Sequence, residues 1–553
     1  MEYVFLGSII LIMQFLVTHH INKRKRKRKI EQIRSAWSKP KTDAFPFESI
    51  GKYADAIKEN NFHRLTDQTI EDIDFYQLFA FIDRTTSRVG QQFLFKKVVE
   101  PTSHIEHKSE GLITLFTKDK DLREKIQLIL LKLSSNDAYY ISSLVRDKLL
   151  ERPTWFKFLT LDVVIVACLL ILSFKFPVLL IVLIIPITLN MILHYWNKSN
   201  TFQFTRSIPQ MNLLIAVSKE LLKSGDVFYD KSVASSISDL RSFQRKAILI
   251  RFDNKGGMQA ELSQLALYLI DLLKVFFLIE VIMLFKVLRE LKTKQAAIIN
   301  LFNYVGNVDA SISIASLRAG TLKTCQPVLV SAQKELVVKN IYHPLIENCV
   351  ENSLSISNRS VLITGSNMSG KSTFLRTLAI NSILAQTIYT CFADEYISPI
   401  VKQFSSIRID DNLFQGKSFY FQEVNIMASL IAEADLLHQN LFLLDEVFKG
   451  TNTVERIAAA KAILSYLNRK NNFVVVATHD IELADMLVGE YDLYHFTETI
   501  EDKELHFDHR IKSGQLRTRN AIKILELSNY PADIINEARY ISTTLGTKRI
   551  GEE

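Results

Sequence analysis

Apolar residues follow two rhythms along this chain. Over residues 73–106, IDFYQLFAFIDRTTSRVGQQFLFKKVVEPTSHIE, they recur at steps of three and four, the spacing of helices that bury one face. Residues 197–327 return to that pattern, so both stretches are predicted to be helical. Past residue 330 the pattern shortens. VLIT at 361–364, LFLL at 441–444 and VVVA at 474–477 are runs of buried-strand character and strand length, each followed by glycine or by polar residues. Runs of this kind are interior strands of a sheet covered on both faces. The pattern predicts an α/β domain, a sheet flanked by helices, behind an all-α region.

Other stretches are apolar with no rhythm. Residues 3–18, YVFLGSIILIMQFLVT, are preceded by Glu2 and followed by KRKRKRK at 23–29, the reverse of a secretory leader's polarity. The positive-inside rule then predicts an anchor with its N-terminus outside and residue 23 onward in the cytoplasm. Residues 158–174 and 176–195 are long apolar runs broken at Lys175-Phe176-Pro177, with Asp162 the one acid inside them and Trp155, Tyr195 and Trp196 at the ends where aromatic belts lie. They predict a tight hairpin of two spanning helices. Residues 265–288 are also apolar, but Asp271, Lys274, Glu280 and Lys286 are spread around the helix, which predicts a buried helix and not a further span. The expected location is a multi-pass protein of the inner or plasma membrane with the α/β domain in the cytoplasm.

The strand runs carry the candidate chemistry. After the first, Gly365-x4-Gly370-Lys371-Ser372 fits the phosphate-loop pattern. Its glycines let backbone N–H groups wrap a polyphosphate, and the helix opening near Thr373 aims its positive end at the anion. Gly365, Ser366, Asn367, Met368, Ser369, Gly370, Lys371, Ser372 and Thr373 are therefore the predicted ATP-binding run. Lys371 supplies charge to the β- and γ-phosphates, and Ser372 offers its hydroxyl to Mg²⁺. The second run ends in Asp445, a second Mg²⁺ residue, and in Glu446, which would polarise the attacking water. The third delivers His479 to the same sheet edge, where it would sense the γ-phosphate.

TGSNMSGKST, LLDEVFKGTNT and ATHD together resemble the MutS mismatch-repair ATPases, whose motifs read close to TGPNMGGKST and LLDEIGRGTST. Residues 409–423, IDDNLFQGKSFYFQE, look like that family's signature loop, with Asp411, Gly416, Ser418 and Glu423 on matching positions. The resemblance implies that Ser418 reaches across a homodimer to the partner's γ-phosphate. Ser366 stands where the family has proline, Ser369 and Phe448 where it has glycine, and Phe419 where it has threonine. Residues 341–347, IYHPLIE, resemble the segment near the adenine, which makes His343 a candidate contact. Residues 508–539 resemble the family's C-terminal dimerisation helices, with Gly514, Ala521 and Pro531 matching. Asp83, Thr86, Gly90, Leu94 and Pro101 fall on positions of the family's helical core.

Charge tempers the DNA reading that this family brings. The formal net charge of the 553 residues is +8, and residues 23–29 carry seven of those charges, leaving +1 elsewhere. The basic balance thus describes one juxtamembrane run and not a nucleic-acid face. Cys168, Cys325, Cys349 and Cys391 lack metal spacing and read as thiols in a reducing compartment. The family's mismatch wedge, Phe-x-Glu, occurs at 421–423 and 496–498, both inside the α/β domain, so neither reads as a wedge. An ABC-type transporter would need about six spans and an LSGGQ-like signature, and neither is written here.

The expected layout is an anchor at 1–22, a basic run and linker at 23–70, helical core at 71–154, membrane hairpin at 155–196, helical lever at 197–330, and the MutS-type ATPase domain with dimerisation helices at 331–553. The expected protein is a membrane-anchored MutS-like ATPase without the mismatch-recognition domains. Its inherited ligand is DNA, mismatched DNA included. The alternative is a membrane ATPase that turns the same engine on a protein or envelope partner.

Overall fold

The computed structural model describes residues 2–57, 62–103, 107–145, 154, 156–247, 272–330, 334–366, 368–408, 419–436, 438–469, 471–501, 504–516, 521–527 and 530–550. In chain order, the helices used below are α1 (Glu2–Ala36), α2 (Phe47–Ala56), α3 (Asp67–Asp72), α4 (Arg88–Val99), α5 (Phe156–Ser173), α6 (Ile184–Asn200), α7 (Ile279–Lys292), α8 (Gln295–Gly320), α9 (Lys371–Thr387), α10 (Phe419–Ala434) and α11 (Thr453–Leu467). The chain forms two compact units. The first comprises Met1–Asn60, Phe79–Val99 and Glu106–Thr321, and the second Asn61–Leu78, Glu100–Ile105 and Leu322–Glu553.

The first unit is helical. Its centre is the close approach of α4 and α8, which glycines permit. A Cβ on Gly90 would lie 2.2 Å from Asp309 Oδ2, and one on Gly306 would lie 2.5 Å from Phe93 Cβ. The buried Asp309 carboxylate caps the start of α4, accepting from Thr86 N at 2.8 Å, Ser87 N at 2.7 Å and Ser87 Oγ at 2.6 Å. Burial raises its pKa to about 6. The linker expected over 23–70 is largely structured. Helix α1 continues through the basic run to Ala36, and α2 buries Tyr53, whose ring stacks on Phe302 with centroids 3.8 Å apart.

The apolar hairpin emerges from the same unit. α5 ends at Ser173, and the chain turns before the second limb, Leu179–Trp196. Each limb holds an 18-residue stretch, of mean hydropathy 2.3 and 2.0. Phe158, Ile171, Phe174 and Ile185 stand 70%, 69%, 91% and 74% exposed. The base is packed, where Phe156 and Leu159 cluster with Leu278, Val281 and Phe285, and Val166 and Leu183 are buried farther along. Among the described residues these two helices are the ones long and apolar enough to cross a membrane. Residues 265–271 of the segment predicted as a buried helix lie outside the described residues. The rest of it leads into α7, which buries Val281, Leu284, Phe285, Val287 and Leu288.

The second unit is α/β. β4 (Ser360–Thr364), β6 (Lys402–Ser406), β7 (Asn440–Asp445), β8 (Phe473–Thr478), β9 (Tyr491–His495) and β12 (Lys512–Ser513) form a sheet in the order β12-β9-β4-β8-β7-β6. All neighbours are parallel except β12 with β9. β4, β7 and β8 are the three apolar runs of the sequence, buried almost throughout. A second sheet, β1-β5-β2-β3, is built from Val328–Val330, Glu395–Pro399, Leu336–Ile341 and Asn352–Ile356, and β10 (Glu498–Glu501) pairs with β11 (Glu504–Phe507).

An edge strand exposes unpaired backbone, and β6 is covered by chain from more than 300 residues earlier. His63 Nε2 donates to Gln403 O at 2.8 Å. The fully buried Asp72 carboxylate, at the end of α3, accepts from Ser405 Oγ at 2.6 Å, Ile407 N at 3.0 Å and Arg408 N at 2.7 Å. Arg408 then forms a bidentate pair with Asp74, at 2.7 and 3.2 Å. Asp72→Ala would strand three donors, and we expect it to cost about 2–4 kcal/mol locally. Hydrogen exchange at residues 402–408 measures this; unchanged protection would show that Asp72 does not hold the edge.

Candidate functional site

β4 feeds the phosphate loop, and the loop's geometry follows from its residues. Gly370 takes φ +110°, and α9 begins directly after it with no side-chain cap, so its first N–H groups face outward for an anion. Lys371 is buried and donates from Nζ to Gly365 O at 2.7 Å and Ser366 O at 2.8 Å. Burial lowers its pKa. Two departures from the family pattern acquire partners. Ser369 Oγ donates to Ser366 O at 2.8 Å, and Ser366 Oγ donates to Glu498 Oε2 at 2.7 Å. Serine hydroxyls here brace a turn that glycine and proline would shape through backbone preference alone.

β7 brings Asp445 alongside. Ser372 Oγ donates to Asp445 Oδ2, while Asp445 Oδ1 is buried with no hydrogen-bond partner among the described residues. Burial raises this carboxyl's pKa. A buried, half-satisfied carboxylate beside a hydroxyl is a fitting donor pair for Mg²⁺, which takes one or two protein oxygens and completes its shell from phosphate and water. The predicted metal residues Ser372 and Asp445 are thus in contact.

Glu446 follows with φ +52°, a left-handed backbone uncommon for a residue with a side chain. Its Oε1 lies 3.3 Å from His479 Nδ1, and its Oε2 lies 3.0 Å from Lys449 Nζ. Hydrogen bonding to His479, with Lys449 adding to it, lowers the Glu446 pKa to about 2 despite burial. Glu446 in turn raises the pKa of His479. Behind His479, Asp480 is gripped by Arg456 of α11 at 2.7 and 3.1 Å. The next loop is held by the buried Glu423 of α10, which accepts from Lys449 N at 3.0 Å and Gly450 N at 3.2 Å. Phe448 takes φ +62° at the position where the family pattern has glycine, and it is buried beside Tyr420.

Lys371, Ser372, Asp445, Glu446 and Lys449 border a cavity of about 580 Å³, while His479 meets Glu446 but is not among the lining residues. Lys371, Ser372, Thr373, Asp445, Glu446 and Lys449 line its charged end. Ile341, Ile346, Cys349, Val350, Phe374 and His509 supply its less polar wall. The size suits a small-molecule ligand, for which roughly 300–1,000 Å³ is usual.

Most predicted site residues therefore meet at one sheet edge. Gly365, Ser366, Met368, Ser369, Gly370, Lys371, Ser372 and Thr373 form the loop and helix start, with Asp445, Glu446 and His479 opposite. Asn367 and Ser418, with Asp411 and Gly416, lie outside the described residues. His343 is not among the cavity's lining residues. It is buried, its Nδ1 accepts from Leu345 N at 3.3 Å, and burial lowers its pKa to about 4, so it caps a turn. The sequence reading did not single out Lys449 or His509. Lys449 sits in the KGTNT text three residues after Glu446, a spacing that could have paired them. His509 approaches through a hairpin, and nothing local announces it.

Parallel strands, a glycine-ended phosphate loop and paired strand-end acids define a P-loop nucleotide-binding domain. Comparison with known proteins narrows the class. Residues 361–546 match the family model described as MutS domain V. The chain is similar to the DNA mismatch repair protein MutS of Pseudothermotoga lettingae, 32% identical over 271 residues, covering 47% of this chain and 33% of that protein. It is similar to the MutS of Thermus thermophilus, 30% identical over 213 residues, covering 38% and 26%. It is also similar to that of Thermotoga maritima, 31% identical over 265 residues, covering 46% and 33%. The likeness to MutS proteins rests on this domain V match and on relatives near 30% identity. The matches span about a third of the length of these relatives or less.

The Glu446–His479 pair gives a pH signature. Its His479 contribution is full below the ordinary value of 6.5 and is lost as pH rises through the raised folded value. The Glu446 contribution is full above the ordinary 4.5 and is lost as pH falls toward about 2. In an NMR titration His479 is expected to titrate above 6.5, and to return toward it in Glu446→Gln. An unchanged midpoint in the variant would remove the pair.

Proposed function

We propose that this chain is a Mg²⁺-dependent ATPase of MutS type, with ATP bound in the 580 Å³ cavity and hydrolysed at the Glu446–His479 end. The observation that carries the reading is the convergence of Lys371, Ser372, Asp445, Glu446 and His479 from three separate strand ends. Lys371 would leave the Gly365 and Ser366 carbonyls to hold the β- and γ-phosphates, and the first turn of α9 would donate its N–H groups. Ser372 and Asp445 would hold Mg²⁺, which when bound neutralises charge on the phosphate oxygens. Glu446, too acidic at a pKa of about 2 to store a proton at neutral pH, would orient the attacking water by accepting its hydrogen bond. His479 would hold Glu446 in place and donate toward the γ-phosphate. Ser418 of a second copy would complete the site, making the active form a homodimer with two composite centres.

The ligand of the helical unit is DNA on this reading, as the mismatch-repair name of the relatives suggests. Attachment to the inner or plasma membrane through the hairpin is the reading that two exposed apolar limbs, 22% and 17% buried, favour, and the positive-inside rule sets the ATPase unit in the cytoplasm.

Lys371→Ala is expected to lose ATP binding or turnover. Glu446→Gln is expected to retain ATP binding while turnover falls by about 10²-fold or more. Wild-type turnover in Glu446→Gln would sink the assigned role. The ligand is tested by binding of detergent-solubilised protein to homoduplex, mismatched and branched DNA, with and without ATP, across a salt series. Salt-sensitive, ATP-modulated binding supports DNA, with a mismatch preference supporting repair. No binding at low salt, with ATPase activity intact, would overturn DNA in favour of a protein or envelope partner.

A further inference from the structure

Cys325 and Cys391 face one another across an isolated antiparallel bridge in the second unit. They exchange both backbone hydrogen bonds, Cys325 N to Cys391 O and Cys391 N to Cys325 O, each at 2.9 Å. Residues paired this way have Cα atoms about 5.5 Å apart, inside the roughly 4.4–6.8 Å window of a disulfide. The Cα spacing therefore suits a cross-link, whose closure also draws the two Cβ atoms in to about 3.8 Å. The two thiols differ in access. Cys391 is fully buried, and its Sγ lies 3.7 Å from Asn381 O of α9, to which it donates. Cys325 is half-buried.

We propose that Cys325 and Cys391 are a thiol–disulfide modification site, Cys325 attacking and Cys391 resolving, whose reagent is a small-molecule disulfide of the glutathione class. A hydrogen bond with Cys391 holds the Cys325 thiol below its ordinary pKa, which enriches the nucleophilic thiolate. The Cys325 thiolate attacks one sulfur of the reagent, whose S–S bond breaks and releases one glutathione thiolate. The Cys391 thiol then loses its proton and attacks Cys325 sulfur, expelling the second glutathione. The protein pair is oxidised by two electrons, the reagent is reduced to two thiols, and the two cysteine protons end on the two glutathiones.

The location gives the modification a target. The second unit's main stretch begins at Leu322, and Cys391 follows α9, whose other end opens at the phosphate loop. Closure would tie the entering chain to the segment behind that helix and remove the Cys391 thiol's bond to Asn381. This goes beyond the ATPase reading and does not rest on it.

The test uses the full chain in native buffer across a series of oxidised-to-reduced glutathione ratios, quenched with acid, alkylated and mapped by mass spectrometry. A linked Cys325–Cys391 peptide pair is expected at ratios that leave Cys168 and Cys349 alkylatable. In Cys391→Ser, Cys325 is expected to stop at a mixed disulfide with glutathione. In Cys325→Ser, Cys391 is expected to stay unmodified because it is buried. Absence of the linked peptide while Cys325 alkylates alongside Cys168 would overturn the proposal. Equal reaction of Cys391 in Cys325→Ser would overturn the assigned order.

Discussion

Asp445 ends an apolar strand that runs through the middle of the second unit, so its carboxylate must find partners where little water reaches. It finds one in Ser372, the second residue of α9, and that bond ties β7 to the helix that opens at the phosphate loop. The rest of the site depends on this tie. β8 lies parallel beside β7 in fixed register, Asp445 opposite Ala477, which sets His479 within reach of Glu446. Ala477 O also accepts from Glu446 N at 2.9 Å, so the backbone that carries the acid is anchored to the strand that carries the histidine. The parallel sheet lines up the polar ends, and the buried carboxylate sets the helix against them.

The positions where this chain departs from the MutS pattern lie around that tie without touching it. Ser366 and Ser369 turn a backbone-shaped loop into a hydroxyl-braced one, through Glu498 and the Ser366 carbonyl. Phe448 keeps the left-handed turn that glycine would take freely, and the ring's burial offsets a strain of about 1–2 kcal/mol. The turn is further held by Glu423 through two backbone N–H groups. The two Phe-x-Glu matches thus end in glutamates that serve the nucleotide site's own loops.

What could be read from the sequence is what neighbouring residues enforce. The strands at 361–364, 441–444 and 474–477 and the phosphate loop follow from composition over a few residues, and the structure has them in place. The cover over β6 could not be read, because Asp72 and Ser405 are 333 residues apart and nothing local marks either as a partner. Residues 23–70 looked like linker because Tyr53 and His63 are buried by distant chain, not by their own neighbours. His343 sits where the resemblance implied a nucleotide contact, yet its ring is turned to a backbone N–H two residues on. Cys325 and Cys391 were scattered thiols until the fold paired them.

The state of Glu446 bears on how such a site would work. While His479 and Lys449 hold its pKa at about 2, this carboxylate is a feeble base and acts on water by orienting it. Its strained backbone, its histidine and its lysine all fix where the oxygens point. Lys449 also lines the cavity, so the cation that now pairs with Glu446 stands beside the space a triphosphate would fill. A γ-phosphate there would compete for Lys449, and each step of that competition would change the charge that Glu446 presents to water. Catalytic competence would then follow from ligand-driven exchange of one lysine's partners. The basicity of the carboxylate would be a consequence of that exchange, not its cause.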